Sequence, residues 1–299
     1  MTLEQLRIFL AVAEREHVTR ASEVLNLTQS TVSAAIAALE ARLGLALFDR
    51  IGRGIALTEA GRLLMGEARA VLARVAQAEA AMAGLAGLDR GRLVLAASQT
   101  VATYWLPPRL HRFRDRHPGV ALELSIANSA AVARRVEEGL ADLGLIEDAI
   151  DLPGVVGRPV AEDEMVLAVA PALARQAGIA EGAEVGAETL RRLPFVFREP
   201  GSGTRAMFER ALHGLGVAPD TLTIVLELPS NEAVRIAAED GAGAAALSRQ
   251  VVSGALRAGT LIALGVPLPR RAFTLLRHRE RTLSPAARAF SAMLGPSEA

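Results

Sequence analysis

Two groups of residues have the types and spacing for recognition chemistry. The first is Gln29, Ser30, Thr31 and Ser33, which open a helical stretch just after a shorter one at Thr19–Leu25. At about 100° per residue, turning Val32, Ile36, Leu39 and Leu43 inward puts Ser30, Ser33, Ala34 and Ala37 on the outer face and Gln29 and Thr31 at the N-terminus. A glutamine can pair bidentately with adenine, and small residues can meet thymine methyls. The free N–H groups at a helix start also suit a phosphate. Ala21 allows close crossing of the two helices, and Val24, Leu25, Leu27, Val32 and Ile36 are expected to fill the corner. That is the pattern of a helix-turn-helix, whose second helix enters the major groove; an ordinary helical corner would share its apolar positions.

The second group lies at the ends of strand-like runs. Ser98, Gln99 and Thr100 follow Leu93–Ala97, Asn128 follows Ala121–Ala127, and Glu147 follows Leu143–Ile146. Arg198-Glu-Pro-Gly-Ser-Gly-Thr-Arg205 follows Phe195–Phe197 and opens a helix, with Ser202, Gly203 and Thr204 at its start. In open α/β sheets ligands sit beyond the carboxyl ends of strands, where helix N-termini present N–H groups. Glycines let such groups turn inward, and the hydroxyls add donors. A glycine-rich helix cap without ligand has the same local sequence. Placement opposite Ser98 and Thr100 across a cleft favours ligand binding.

Several chemistries are excluded. The chain has 299 residues and no cysteine, so disulfides, thiolate metal sites and a cysteine nucleophile are absent. His17, His111, His117, His213 and His278 show no metal-ligand spacing. Gly201-Ser202-Gly203 is not a nucleophile elbow, and acids such as Glu137-Glu138 and Glu162-Asp163-Glu164 read as solvated faces. No enzyme, metal or cofactor is expected. Basic and acidic residues number 33 each, every basic one being arginine, so net charge points to no polyanionic partner. Residues 1–58 are themselves balanced, Arg7, Arg15, Arg20, Arg42, Arg50 and Arg53 against Glu4, Glu14, Glu16, Glu23, Glu40 and Asp49. Contact with DNA must then come from local placement, with Arg50 and Arg53 forward and the acids turned away. No apolar segment is long enough for a membrane span, and MTLEQLRIFL lacks a signal-peptide pattern, so the cytoplasm is the expected compartment.

The elements that must position these residues fall into three stretches. Thr2 and Gln5 fit a capping box for a first helix, Asn26 suits the left-handed end of the second, Thr28 caps the third, and Gly44 stops it. Gly52-Arg53-Gly54 reads as a hairpin. From Thr58 to about Gly87 runs one helical pattern of about 44 Å, with Leu64, Ala68, Val71, Val75, Ala78, Met82 and Leu85 forming a heptad seam suited to a second copy, packing onto its own chain being the alternative. Beyond Gly91, strand-like runs alternate with helices, including one from Ser129 to Leu140, and predict a parallel sheet in one large body or two similar lobes.

Phe9, Ala21, Leu25, Gln29, Ser33, Ile36, Leu39-Glu40, Leu43-Gly44, Leu47-Phe48-Asp49-Arg50 and Leu57-Thr58-Glu59-Ala60-Gly61 together resemble the LysR-type transcriptional regulators. The resemblance implies an α/β protein with an N-terminal winged helix-turn-helix at 1–58, a linker and dimerisation helix at 59–88, and an effector-binding domain at 92–299 similar to periplasmic binding proteins. One lobe of that domain would be 92–161 and 266–299, the other 162–265. Ala34 and Ala35 stand where the family often has a long polar residue. The resemblance implies double-stranded DNA with an interrupted palindrome as one partner, a second copy through the linker helix, and a homotetramer. It further implies an effector pocket using Ser98, Thr100 and the Gly-Ser-Gly-Thr loop; hydroxyls beside backbone N–H groups suit a small anion. The 198–205 loop and Ser-Asn-Glu-Ala at 230–233 resemble the branch that senses sulfur oxyanions or small carboxylates. The other reading is a solute-binding or enzymatic α/β protein whose helical N-terminus serves only to dimerise.

Overall fold

The computed structural model describes residues 1–51, 54–84, 91–147, 152–180 and 182–295. Gly52 and Arg53 at the expected hairpin tip, and residues 85–88 of the expected linker, lie outside them. The chain divides into two compact units, one within residues 1–85 and one built from 86–137 and 141–299.

In the first unit, α1 (Leu3–Arg15), α2 (Val18–Leu25) and α3 (Gln29–Leu43) are separated by residues that end helices for local reasons. Thr2 and Gln5 form the reciprocal capping box, His17 caps α2, and Thr28 caps α3. Asn26, at φ 53°, turns the chain between α2 and α3. Strands β1 (Phe48–Ile51) and β2 (Gly54–Leu57) pair antiparallel, and α4 (Glu59–Gly84) follows. Leu6, Phe9, Val12, Ala21, Val32, Leu39 and Leu47 are buried together as the core.

Two expected core positions are not in it. Val24 is 58% exposed and Leu43 39%. The inward arc of the two-turn α2 runs through Ala21, Ser22 and Leu25, and Val24 falls about 110° from its centre at 3.6 residues per turn. Leu43 is the last residue of α3, where the helix has already left the core. The α4 seam is also divided: Ala68 is buried and Leu64 half-buried in the core of their own unit. Further along, Val71 (39%) and Met82 (68%) are exposed. Val71 and Met82 thus lie outside the core that Leu64 and Ala68 join.

The second unit has two lobes. In lobe I, β3 (Gly91–Ser98) pairs in parallel with β4 (Val120–Ala127) and β5 (Leu143–Glu147). The sheet order is β4-β3-β5-β12-β6, where β6 is Val155–Asp163 and β12 is Arg271–His278. A π-helical turn (Val101–Trp105), α5 (Pro107–Arg116), α6 (Ser129–Glu137) and α12 (Pro285–Met293) cover it. The expected helix over Ser129–Leu140 thus ends at Glu137.

Lobe II contains β7 (Met165–Val169), α7 (Pro171–Gln176), α8 (Ala187–Arg192), β8 (Pro194–Arg198), α9 (Gly203–Gly214), β9 (Thr223–Leu228), α10 (Asn231–Glu239), β10 (Ala245–Ser248), α11 (Arg249–Ala258) and β11 (Ile262–Leu264). β7 lies between β10 and β11, antiparallel to both, whereas β8 and β9 are parallel.

The expectation of a parallel sheet therefore needs correction: both lobes are mixed. Lobe I is parallel in its βαβ part, but β12 returns from lobe II and runs antiparallel to β5 and β6. A chain that leaves one lobe and comes back must re-enter from the other direction, and the antiparallel strand is the consequence.

Candidate DNA-reading helix and effector cleft

Gln29, Ser30, Thr31 and Ser33 are all exposed, while Val32 between them is fully buried. Period and capping explain the split. Thr28 Oγ1 accepts from the Thr31 amide at 3.2 Å and shares hydrogen bonds with the Ser30 and Thr31 hydroxyls, each at 2.8 Å. This draws three hydroxyls onto one helix end. Ala34 and Ala37 continue the exposed face with little side-chain bulk. Arg50 is exposed on β1; Arg53 lies outside the described residues.

Two of the acids are occupied within their own unit. Glu40 Oε1 accepts from the amides of Leu47, at 2.7 Å, and Phe48, so it fixes the start of the hairpin to α3. Glu14 pairs with Arg69 of α4 at 3.1 Å. With these carboxylates engaged, an overall neutral unit can present arginine and N–H groups on one side.

In the second unit, the strand-end residues named from the sequence converge between the lobes. Ser98, Thr100, Glu147, Arg198, Ser202, Gly203 and Thr204 are all buried, and Gln99 and Asn128 are half-buried. Glu147 is central: it accepts from the Thr100 amide at 3.3 Å and from Ser129 Oγ at 2.9 Å. Burial alone would push its carboxyl up, but the positive charge of Arg271, followed by hydrogen bonding, outweighs this and holds it below the ordinary carboxylate value. Across the cleft, a Cβ on Gly203 would meet the Glu147 carbonyl and Ser129 Oγ, each at 2.7 Å. Any larger residue would therefore force the lobes apart at this point.

The loop before α9 and the first turn of that helix touch lobe I through several hydrogen bonds. Gly201, at φ +87°, accepts at its carbonyl from the Ala130 amide at 3.2 Å. Asn128 Nδ2 donates to Glu199 Oε1 at 3.2 Å. Thr204 Oγ1 accepts from Arg271 Nη1 at 3.0 Å. Ser202 Oγ accepts from the Arg205 amide as the N-cap of α9. Since Ser202 and Thr204 act as acceptors here, their hydroxyl hydrogens remain for a further partner. Ser98 Oγ is buried beside the Glu147 carboxylate, which its hydroxyl helps to hold ionised.

Sequence reasoning missed four contributors. Arg271 and Asp163 form a buried ion pair, and Ser248 Oγ donates to Asp163 at 2.7 Å. Asp163 is a correction to the solvated-face reading of 162–164: at the end of β6 it turns inward to meet Arg271 of β12, while Glu162 and Glu164 stay exposed. Asn231, first residue of α10, donates through Nδ2 to Thr100 Oγ1 at 3.0 Å and accepts at Oδ1 from Arg198 Nη1. Its amide donates to Gln99 Oε1 at 2.9 Å. Arg198 is held on its other edge by Glu199, at 2.8 Å and 3.0 Å, so its guanidinium does not stand open to the cleft.

Comparison with known proteins agrees with this geometry. Residues 3–62 match the model for bacterial regulatory helix-turn-helix proteins of the lysR family, and residues 86–297 match the LysR substrate binding domain. The uncharacterized HTH-type transcriptional regulator YeiE of Escherichia coli (strain K12) is 38% identical over 292 residues, 97% of this chain and 96% of that one. The crystal structure of full-length CbnR complexed with its target DNA superposes with a TM-score of 0.70 at 21% identity, over 98% of this chain and 99% of the other. The regulatory domain of Synechocystis CcmR in complex with 2-PG gives a TM-score of 0.61 at 24% identity, over 69% and 96%. The chain belongs to the LysR family and is a DNA-binding transcriptional regulator with an effector-binding domain.

Proposed function

We propose that this regulator responds to a small anion held between the lobes at 92–161 with 266–299 and 162–265, and that it acts by binding rather than by catalysis. One observation carries the reading: buried hydroxyls come from both lobes, Ser98 and Thr100 from one and Ser202 and Thr204, at the N-terminus of α9, from the other. The hydrogens of Ser202 and Thr204 and the N-terminus of α9 add donors from the opposite lobe. Gln99, Asn128, Glu147, Arg198 and Gly203 shape the cleft. The CcmR regulatory domain, solved in complex with 2-PG, is a precedent for a small ligand in this fold.

Gln29, Ser30, Thr31 and Ser33 read the major groove, and Arg50 and Arg53 contact the phosphate backbone or minor groove. Pairing through 59–88 sets two such helices on an interrupted palindrome, and further pairing of effector domains makes a tetramer. CbnR, solved on its target DNA, is a precedent for the fold so engaged. No helix among the described residues is long and apolar enough to cross a membrane, and the cytoplasm is where a DNA-binding regulator would act.

The test is a thermal-shift and calorimetric screen of the full-length protein against sulfate, sulfite, phosphate and short carboxylates. Binding of one of these, weakened by Ser98→Ala, Thr100→Val and Ser202→Ala while operator binding in a mobility-shift assay persists, is the expected result. Binding unchanged in all three variants would retire the site.

A further inference from the structure

Tyr104 and Trp105, the only tyrosine and the only tryptophan of the chain, are adjacent yet anchored in opposite lobes. Both lie on the π-helical turn Val101–Trp105, which begins directly after Thr100 and is closed by the Leu106 amide on the Val101 carbonyl at 2.8 Å. Trp105 is buried in the lobe I core, edge-on to Phe273 at 5.8 Å. Tyr104 turns the other way: its ring packs against the lobe II cluster of Val166, Val196, Val234, Val251 and Leu261, and its hydroxyl donates to Glu232 Oε1. Glu232 is held for this bond by Arg235 at 2.9 Å, and Arg235 is held in turn by Glu239 at 2.7 Å. The same first turn of α10 supplies the Asn231 bonds to Gln99 and Thr100. A π-turn wedged between two cores has little freedom to adjust unless one of its anchors lets go.

We propose that Tyr104, through Glu232, is a positioning residue that clasps lobe II to the segment 99–105 and so couples occupancy around Thr100 to closure of the lobes. This rests on the effector-cleft reading above. A clasp that holds the lobes together before any ligand arrives raises the fraction of binding-competent protein, and apparent affinity rises with that fraction.

The test uses the full-length protein, Tyr104→Phe, Glu232→Gln and the double variant. Without ligand, amide hydrogen exchange reads local opening. Tyr104→Phe, which removes one hydroxyl and keeps the ring, should speed exchange about tenfold in both 99–105 and 231–235, with β3 and β7 unchanged. Glu232→Gln should act less, because its amide oxygen still accepts. The double variant should match Tyr104→Phe instead of multiplying the two effects. Faster exchange confined to one of the two segments, or effects that multiply, would overturn the clasp. Titration with sodium sulfate, read by Trp105 emission, should show a weaker midpoint in Tyr104→Phe than in wild type. If sulfate and phosphate both leave wild-type emission unmoved, the anion reading fails while the exchange result still decides the clasp.

Discussion

Asp163 and Arg271 face one another in the β6–β12 ladder, and their carboxylate and guanidinium meet at 2.7 Å with both side chains excluded from solvent. Each sits where the chain passes between lobes, Asp163 at the end of β6 and Arg271 at the start of β12. Lobe II completes the network through Ser248 and Thr204. Removing one member leaves a buried charge alone, which costs about 3–5 kcal/mol. Asp163→Ala should lower unfolding stability by that amount, measured by urea titration. A loss within ~0.5 kcal/mol, typical of a surface change, would contradict the role.

Glu147 gives the acid side of the stability profile a definite sign. Its folded value lies below the ordinary 4.5, so its carboxylate stabilises the native state above that pH. The contribution is lost as pH falls through the lowered folded value. Glu147→Gln should flatten this part of the acid limb in urea titrations below pH 4.5. An identical slope in wild type and variant would show that Glu147 does not supply it.

Tyr104 works at the other end of the scale. Burial first, and then the Glu232 bond, push its hydroxyl up to about 12 from an ordinary 10.0. A raised value favours the protonated form in the native state, so its stabilisation holds below pH 10 and is lost between there and 12. As the only tyrosine, it can be titrated by ultraviolet absorbance without interference. A midpoint near 10 in the folded protein would mean that the hydroxyl is neither buried nor bound.

On DNA, Gln29→Ala should cost about 1–3 kcal/mol on the cognate site and relax preference at one base pair, as loss of a bidentate pair does. Arg50→Ala should weaken all sequences similarly and reduce the salt slope by about one. Competition mobility shifts at several salt concentrations distinguish the two. Equal loss on all sequences for Gln29→Ala would remove it from base reading.

Along α4, the proposed pairing with a second copy would use exposed residues such as Val71 and Met82. Val71→Asp should shift sedimentation toward monomer, whereas Val24→Ala, on the exposed side of α2, should leave both stability and assembly within ~0.5 kcal/mol of wild type. An unchanged oligomer in Val71→Asp would place the pairing elsewhere.

Local chemistry alone determined much of this protein. Caps and stops at Thr2, Asn26, Thr28 and Gly44, the 3.6-residue period through Val32, Ile36 and Leu39, and the hydroxyl and glycine clusters after strands are interactions within a few residues, so they can be read along the chain. Tertiary structure decided the rest. Asn231 lies 131 positions from Thr100 and Arg271 67 from Thr204, and nothing local announces either bond. The division of α4 between its own core and a free face, and the antiparallel return of β12, follow from where the chain must travel. The charges tell the same story: Asp163 looks like its exposed neighbours until β6 is paired, because burial of an ion is set by what the fold brings to meet it.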